Sequence, residues 1–160
     1  MFSTVHELLS EKTHKLLTIA PSEGVAEAVR IMNQHNIGSL LVVEGGRLVG
    51  IFSERDVLVR VVGCGRVPEE TAVEEVMTRE IVTVSPQTSV AEAMTLMTSR
   101  RCRHLPVLER SNGTGGRELI GIISIGDVMR HAIRSLENEV ESLTAYVQTG
   151  SVWPPLSSLG

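Results

Sequence analysis

A nine-residue pattern occurs twice in this chain, and it limits the fold more than any other feature. Val49-Gly50-Ile51-Phe52-Ser53-Glu54-Arg55-Asp56-Val57 is matched by Ile120-Gly121-Ile122-Ile123-Ser124-Ile125-Gly126-Asp127-Val128. Each copy starts as a short apolar run and turns helical at the serine, so each predicts a strand that ends where a helix begins. A helix start presents unpaired backbone N–H groups and the positive end of the dipole. The serine hydroxyl and the carboxylate three residues later stand at that point. Ser-x-x-Asp is a capping box in its own right. Its duplication at matching junctions favours a ligand site over a mere cap.

The rest of the chain repeats around this pattern. Thr18-Ile19-Ala20-Pro21-Ser22-Glu23-Gly24-Val25-Ala26-Glu27-Ala28 is echoed 65 residues later by Thr83-Val84-Ser85-Pro86-Gln87-Thr88-Ser89-Val90-Ala91-Glu92-Ala93. At the Ser/Asp motif the offset is 71, because the second copy has a longer polar hairpin loop within residues 109–117. In the first copy a strand is expected at Leu16 to Ile19 and a helix from Ser22 to about His35. Asn36-Ile37-Gly38 closes that helix, with the glycine free to form a left-handed cap. Strands follow at Ser39–Val43 and Leu48–Phe52, joined by Gly45-Gly46, and then the helix after Ser53. A short entry helix at residues 4–11, with capping-box spacing between Thr4 and Glu7, is mirrored by a helical turn at Val73 to Met77. A unit of roughly 60 residues is marginal alone, so two should pack together.

The expected divisions are an entry helix at 1–15, a first unit at 16–66, a linker with a short helix at 67–80, a second unit at 81–134, and an extension at 135–160. That extension continues a helix from Ile125 to about Gln148. Met129, Ile133, Leu136, Val140, Leu143 and Val147 are spaced as a heptad seam, with Glu137, Glu139 and Glu141 off it. The seam suits either packing on the chain's own second unit or a contact between subunits. The tail from Trp153-Pro154-Pro155 onward reads as irregular.

Composition removes several functional classes. The net charge is −4 and aromatic residues make up 2% of the chain. Both disfavour nucleic-acid binding, which needs basic surface and stacking platforms. No apolar run approaches a bilayer span, and the N-terminus, with Glu7 and Glu11, does not read as a signal peptide. Cys64 and Cys102 are far apart, and no Cys/His spacing suggests a metal. A cytoplasmic setting is expected. No glycine-rich phosphate loop or nucleophile elbow is present, so no catalytic residue is assigned.

Two strand-helix-strand-strand-helix units, each ending in G-h-h-S-x-x-D, resemble a tandem pair of CBS domains, the Bateman module, in its stand-alone form. The resemblance covers residues 3 to about 150. It implies an α+β fold of two β-α-β-β-α units in a pseudo-twofold pair with a long C-terminal helix. It implies a regulatory module that binds an adenosine nucleotide between the units, AMP before ADP, ATP or NAD(H), and pairs into a disc-like homodimer. Asp56 and Asp127 would then take the ribose hydroxyls, with Ser53 and Ser124 as their partners. Thr18, Ile19, Gly38 and Ser39 would frame the adenine in one copy, and Thr83, Val84, Arg103, His104 and Pro106 in the other. Arg55 is a candidate phosphate ligand. Gly126 stands in its place in the second motif, so the two sites are not expected to be equivalent. Arg100, Arg101 and Arg103 form a basic cluster in which Arg103 is best placed to reach a phosphate. The alternative is an interaction scaffold with vestigial sites that works through its C-terminal helix, alone or on a regulated protein.

Overall fold

The computed structural model describes residues 3–12, 16–111 and 115–148. The tail, 149–160, and the middle of the second hairpin loop lie outside the described residues. The first unit contains β1 (Thr18–Ile19), α2 (Val25–His35), β2 (Ser39–Glu44), β3 (Arg47–Ser53) and α3 (Glu54–Asp56), continued by a π-helix (Val57–Val62). The second contains α5 (Val90–Ser99), β4 (His104–Arg110), β5 (Arg117–Ser124) and α6 (Ile125–Gln148). The short helices α1 (Val5–Ser10) and α4 (Val73–Val76) precede the two units.

In the first unit β1 runs parallel to β2, and β2 pairs antiparallel with β3. Gly45 and Gly46 turn this hairpin with φ of +54° and +77°, a conformation that glycine adopts at little cost. The second unit repeats the hairpin, but its first strand shrinks to a single bridge from Val84 to Val107. Pro106 occupies the position of Leu41, which pairs with Thr18. Proline has no N–H to donate there, and that limits the pairing.

Each unit has its own apolar core, and the entry helices cross over between the cores. Val5 and Leu8 of α1 are buried with Val84, Val90, Leu105 and Ile123 of the second unit. Val73 and Val76 of α4, with Met77, are buried with Val25, Leu40 and Phe52 of the first. The glycines of the duplicated motif make room for this crossing. A Cβ on Gly50 would stand 2.3 Å from Met77 Sδ, and one on Gly121 would stand 2.6 Å from Leu9 Cδ2.

Three local expectations differ from the structure. Thr4 makes no side-chain cap; instead the Val5 and His6 N–H groups donate to Thr88 O and Pro86 O of the second unit. The left-handed residue that ends α2 is Asn36, at φ 51°, rather than Gly38. Beyond Asp56 the helix widens, with Gly63 N–H donating to Leu58 O at 2.9 Å and Arg66 N–H to Val61 O at 2.9 Å. Such five-residue spacing is rare and gathers near functional sites.

Candidate ligand cleft

The Ser/Asp pairs stand at the β3–α3 and β5–α6 junctions. Ser53 N–H and Oγ–H both donate to Asp56 Oδ2 at 2.9 Å. Ser124 repeats this to Asp127 Oδ2 at 2.7 and 2.8 Å, and also accepts from the Asp127 N–H at 3.3 Å. Both aspartates are buried, at 5% and 7% exposure. A buried carboxylate is costly unless it is hydrogen-bonded or paired, and here each first caps its own helix.

The remaining carboxylate contacts differ. Asp56 Oδ1 accepts from Thr78 Oγ1 at 3.0 Å, and Arg60 lies 3.6 Å away, its guanidinium donating to the carbonyls of Val76 and Met77 at the end of α4. Asp127 meets two cations at close range, Lys12 at 2.7 Å and Arg130 at 2.6 Å. Lys12 Nζ also donates to Ile122 O at 2.7 Å. Burial works against the charged form of Asp127. The hydrogen bonds from Lys12 and Ser124 outweigh it and hold the carboxyl below its usual range.

A cleft of about 910 Å³ opens beside Asp56. Its walls come from both units: Ser53, Arg55, Asp56 and Arg60 from the first, Arg103 and His104 from the second. Thr78 and residues 80–82 line it between them. Arg100 and Arg101 complete a set of five lining arginines, against three acids, Glu54, Asp56 and Glu80. The cleft is thus locally cationic in an acidic chain, which suits an anion-bearing ligand. Arg103 reaches across the units to Glu54 at 3.6 Å. His104 is held below its usual value by burial first and by Arg103 second, so its neutral form is favoured. Burial also raises the Cys102 thiol at the cleft wall, which disfavours the thiolate.

The structure brings together Ser53, Arg55, Asp56, Arg103 and His104, drawn from residues that the resemblance assigned to two separate copies. Thr18, Ile19, Gly38, Ser39, Thr83, Val84, Pro106, Ser124, Gly126 and Asp127 do not line this cleft. Thr18, Ile19, Ser39 and Pro106 lie in strand pairs. Gly38 O accepts the Glu54 N–H at 3.0 Å, and Arg103 O likewise accepts the Ile125 N–H at 2.9 Å. Gly126 lies in the first turn of α6 beside Arg130. Thr78 and Lys12 were not anticipated. At the same 65-residue offset Thr78 aligns with Thr13, which was the signal for that position; Lys12 aligns with Met77 and had no counterpart in the repeat to mark it. Among the described residues, no three His, Cys, Asp or Glu side chains gather as a metal site would require.

Two duplicated α+β units, crossed entry helices and paired Ser/Asp junctions define a tandem-repeat module. The chain belongs to the CBS domain family: the family model matches residues 5–63 and 73–134. It is 42% identical over 131 residues to the mitochondrial CBS domain-containing protein CBSX3 of Arabidopsis thaliana, covering 79% of this chain and 61% of that one. It is 35% identical to the CBS domain-containing protein YhcV of Bacillus subtilis, covering 79% and 84%. Among solved structures, the CBS-domain chain NE2398 is 38% identical with a TM-score of 0.76, covering 83% of this chain and 99% of that one. The CBS pair of protein MJ0100, in complex with 5′-methylthioadenosine and S-adenosyl-L-methionine, shares the fold at 23% identity and a TM-score of 0.71, covering 84% and 99%.

Proposed function

We propose that this chain is a regulatory module that binds an adenosine nucleotide, AMP in preference to ADP, ATP or NAD(H), in the cleft floored by Asp56. The observation that carries this reading is a buried carboxylate facing a cationic cleft. Asp56 Oδ1 accepts from the uncharged hydroxyl of Thr78 at 3.0 Å and lies a longer 3.6 Å from Arg60, and a ribose diol can replace the Thr78 hydroxyl like for like. Arg55, Arg100, Arg101 and Arg103 line the same cleft and supply the guanidinium donors that phosphate oxygens accept from. The adenosine ligands of the MJ0100 pair support the ligand class. The role is recognition rather than turnover, in a cytoplasmic homodimer whose shape or partner surface responds to the ligand. A ligand shifts such an equilibrium only through unequal affinity for its states.

Calorimetry of nucleotide-free protein against adenosine, AMP, ADP, ATP, NAD(H) and S-adenosylmethionine tests the reading. AMP binding that falls about 10- to 100-fold in Asp56→Asn, and is unchanged in Arg110→Ala, supports it; the range corresponds to losing a hydrogen bond to a charged group. Folded protein that binds none of these ligands overturns it.

A second reading has its own observation: residues 133–148 of α6 are exposed throughout. An interaction scaffold would work through this helix. Truncation after Ser135 separates the two readings, because a scaffold would lose its association and keep its nucleotide affinity.

A further inference from the structure

We infer that the end of α1 is a built-in competitor for the Asp127 junction: Glu11 and Lys12 clasp the second unit there, and a ligand that takes Asp127 must open the clasp. This rests on the nucleotide reading above and adds to it a device that ranks the two junctions. Lys12 Nζ donates to Asp127 Oδ2 and to Ile122 O, both at 2.7 Å. At the other junction the matching carboxylate and carbonyl are served by one threonine. Thr78 N–H donates to Ile51 O at 2.9 Å, and Thr78 Oγ1 to Asp56 Oδ1 at 3.0 Å. A single ammonium thus fills on the second unit the place that a backbone N–H and a hydroxyl fill on the first. Asp127 Oδ2 also accepts from Ser124 N–H and Oγ–H, and Oδ1 from Arg130, so a ribose diol has to displace a cation. The Arg130 side chain is 67% exposed and is free to swing into solvent, whereas Lys12, at 23%, is held among the chain's own groups.

The fastening of the two entry helices differs as well. On the first unit Arg60 donates to Val76 O and Met77 O at 3.1 and 2.6 Å and bolts the end of α4 by its backbone. His131 stands in the place of Arg60, at the 71-residue offset. Among the described residues its Nε2 is buried without a hydrogen-bond partner, and its Nδ1 faces Glu11 Oε1 at 3.6 Å. The end of α1 is held by side-chain charge, with Glu11 on Arg134 at 3.2 Å and Lys12 on Asp127. Exposed ion pairs such as Glu11–Arg134 are weak, and a buried nitrogen left unpaired destabilises the closed clasp. Upstream, Val5 and Leu8 are buried in the second core and Leu9 lies over Gly121, so α1 stays docked while residues 11 and 12 let go. The apparent affinity of the junction is then its intrinsic affinity scaled by the fraction of open clasp.

Lys12 and Lys15 are the two lysines of the chain, so acetylation by N-hydroxysuccinimide acetate, mapped by peptide mass spectrometry, reads the clasp directly. A Lys12 amine held on a carboxylate acetylates slowly, and a released one approaches the rate of the urea-unfolded chain. In wild type Lys12 should be protected without ligand and should stay so through the AMP concentrations that fill Asp56. Glu11→Arg removes the pair with Arg134 and sets two cations against each other, while residue 11 touches neither aspartate. It should speed Lys12 acetylation about 3- to 10-fold. It should also tighten a second, weaker AMP binding by the same factor in calorimetry, with the first binding unchanged. The two factors match because one opening step limits both. Lys12 that acetylates in folded wild type as fast as in urea, with one AMP still bound at Asp56, overturns the clasp alone. Glu11→Arg that speeds acetylation and leaves the second binding where it was shows Lys12 held but not competing, and overturns the inference too. AMP that binds at neither junction overturns the nucleotide reading, and the competitor with it.

Discussion

Lys12 Nζ lies 2.7 Å from Asp127 Oδ2, while at the matching junction Thr78 Oγ1 lies 3.0 Å from Asp56 Oδ1. Asp127 is paired at close range with Lys12 of the N-terminal segment and with Arg130, whereas the close side-chain partner of Asp56 Oδ1 is a hydroxyl, with Arg60 farther off at 3.6 Å. The crossed entry helices cause both contacts, because each delivers its following residues to the other unit's Ser/Asp pair. A ligand at Asp127 must break a half-buried ion pair before it gains a hydrogen bond. A ligand at Asp56 exchanges the Thr78 hydroxyl for its own, beside the longer 3.6 Å contact from Arg60.

Wild-type protein should therefore take up one AMP per chain, at Asp56. Lys12→Met should open the second junction and raise the stoichiometry toward two, as read by calorimetry at saturating AMP. A ratio that stays at one in the variant removes Lys12 as the obstacle.

The same ion pair gives stability a dependence on acid. Asp127 is held below its ordinary value, near 3.9 for an unperturbed aspartate. Its contribution is complete above that pH and is lost as pH falls through the folded-state value. His104 acts in a higher window. Its folded-state value is lowered, so the unfolded chain takes up the proton first and stability falls as pH drops below about 6.5. Thermal melts of His104→Gln between pH 5 and 7.5 should decline less steeply than those of wild type. Parallel curves for the two proteins would remove His104 as the source of the slope.

Gly50 and Met77 should be energetically coupled. A methyl group at Gly50 overlaps Met77 Sδ, so Gly50→Ala should cost about 1–3 kcal/mol through overpacking. Met77→Ala should cost about 2–5 kcal/mol through the cavity it leaves. The double variant should be more stable than the sum predicts, because each change relieves the other. Urea unfolding of the four proteins measures this, and strict additivity would mean that α4 does not rest on Gly50.

Much of this was legible in the sequence, for reasons of period and punctuation. The α2 stripe, the Gly45-Gly46 turn and the full run of α6 follow from local pattern, and the observed elements match them within a few residues. The Ser/Asp junctions were visible because a duplicated motif carries its own control. What local pattern could not convey was which unit each entry helix joins. Val5 and Leu8 form the same apolar stripe whichever core receives them. The crossing places Thr78 and Lys12 on the aspartates and draws Arg103 and His104 into the cleft beside Asp56. The widening after Asp56 was also hidden, because a valine-rich run reads alike in α- and π-helical spacing.

Arg101 offers a test in which stability and binding should move in opposite directions. It follows the Arg100 cap of α5 at φ 51°, at the position that matches Asn36, which caps α2 at φ 51°. The surrounding bonds match as well: Ile37 N–H donates to Met32 O and Cys102 N–H to Met97 O, both at 3.0 Å. Asparagine adopts this left-handed conformation readily, and arginine does so at a cost of order 1 kcal/mol. A strained residue on a ligand cleft points to a role for its side chain there. Arg101→Asn should raise stability by about 1 kcal/mol, a few degrees in Tm for a chain of this size. It should also weaken AMP several-fold through the loss of one charge-assisted contact, while adenosine, which has no phosphate, keeps its affinity. Differential scanning calorimetry and parallel titrations with AMP and adenosine read all three quantities. Equal losses for AMP and adenosine would assign Arg101 to the shape of the cleft, and unchanged AMP affinity with raised stability would leave the strain without a function.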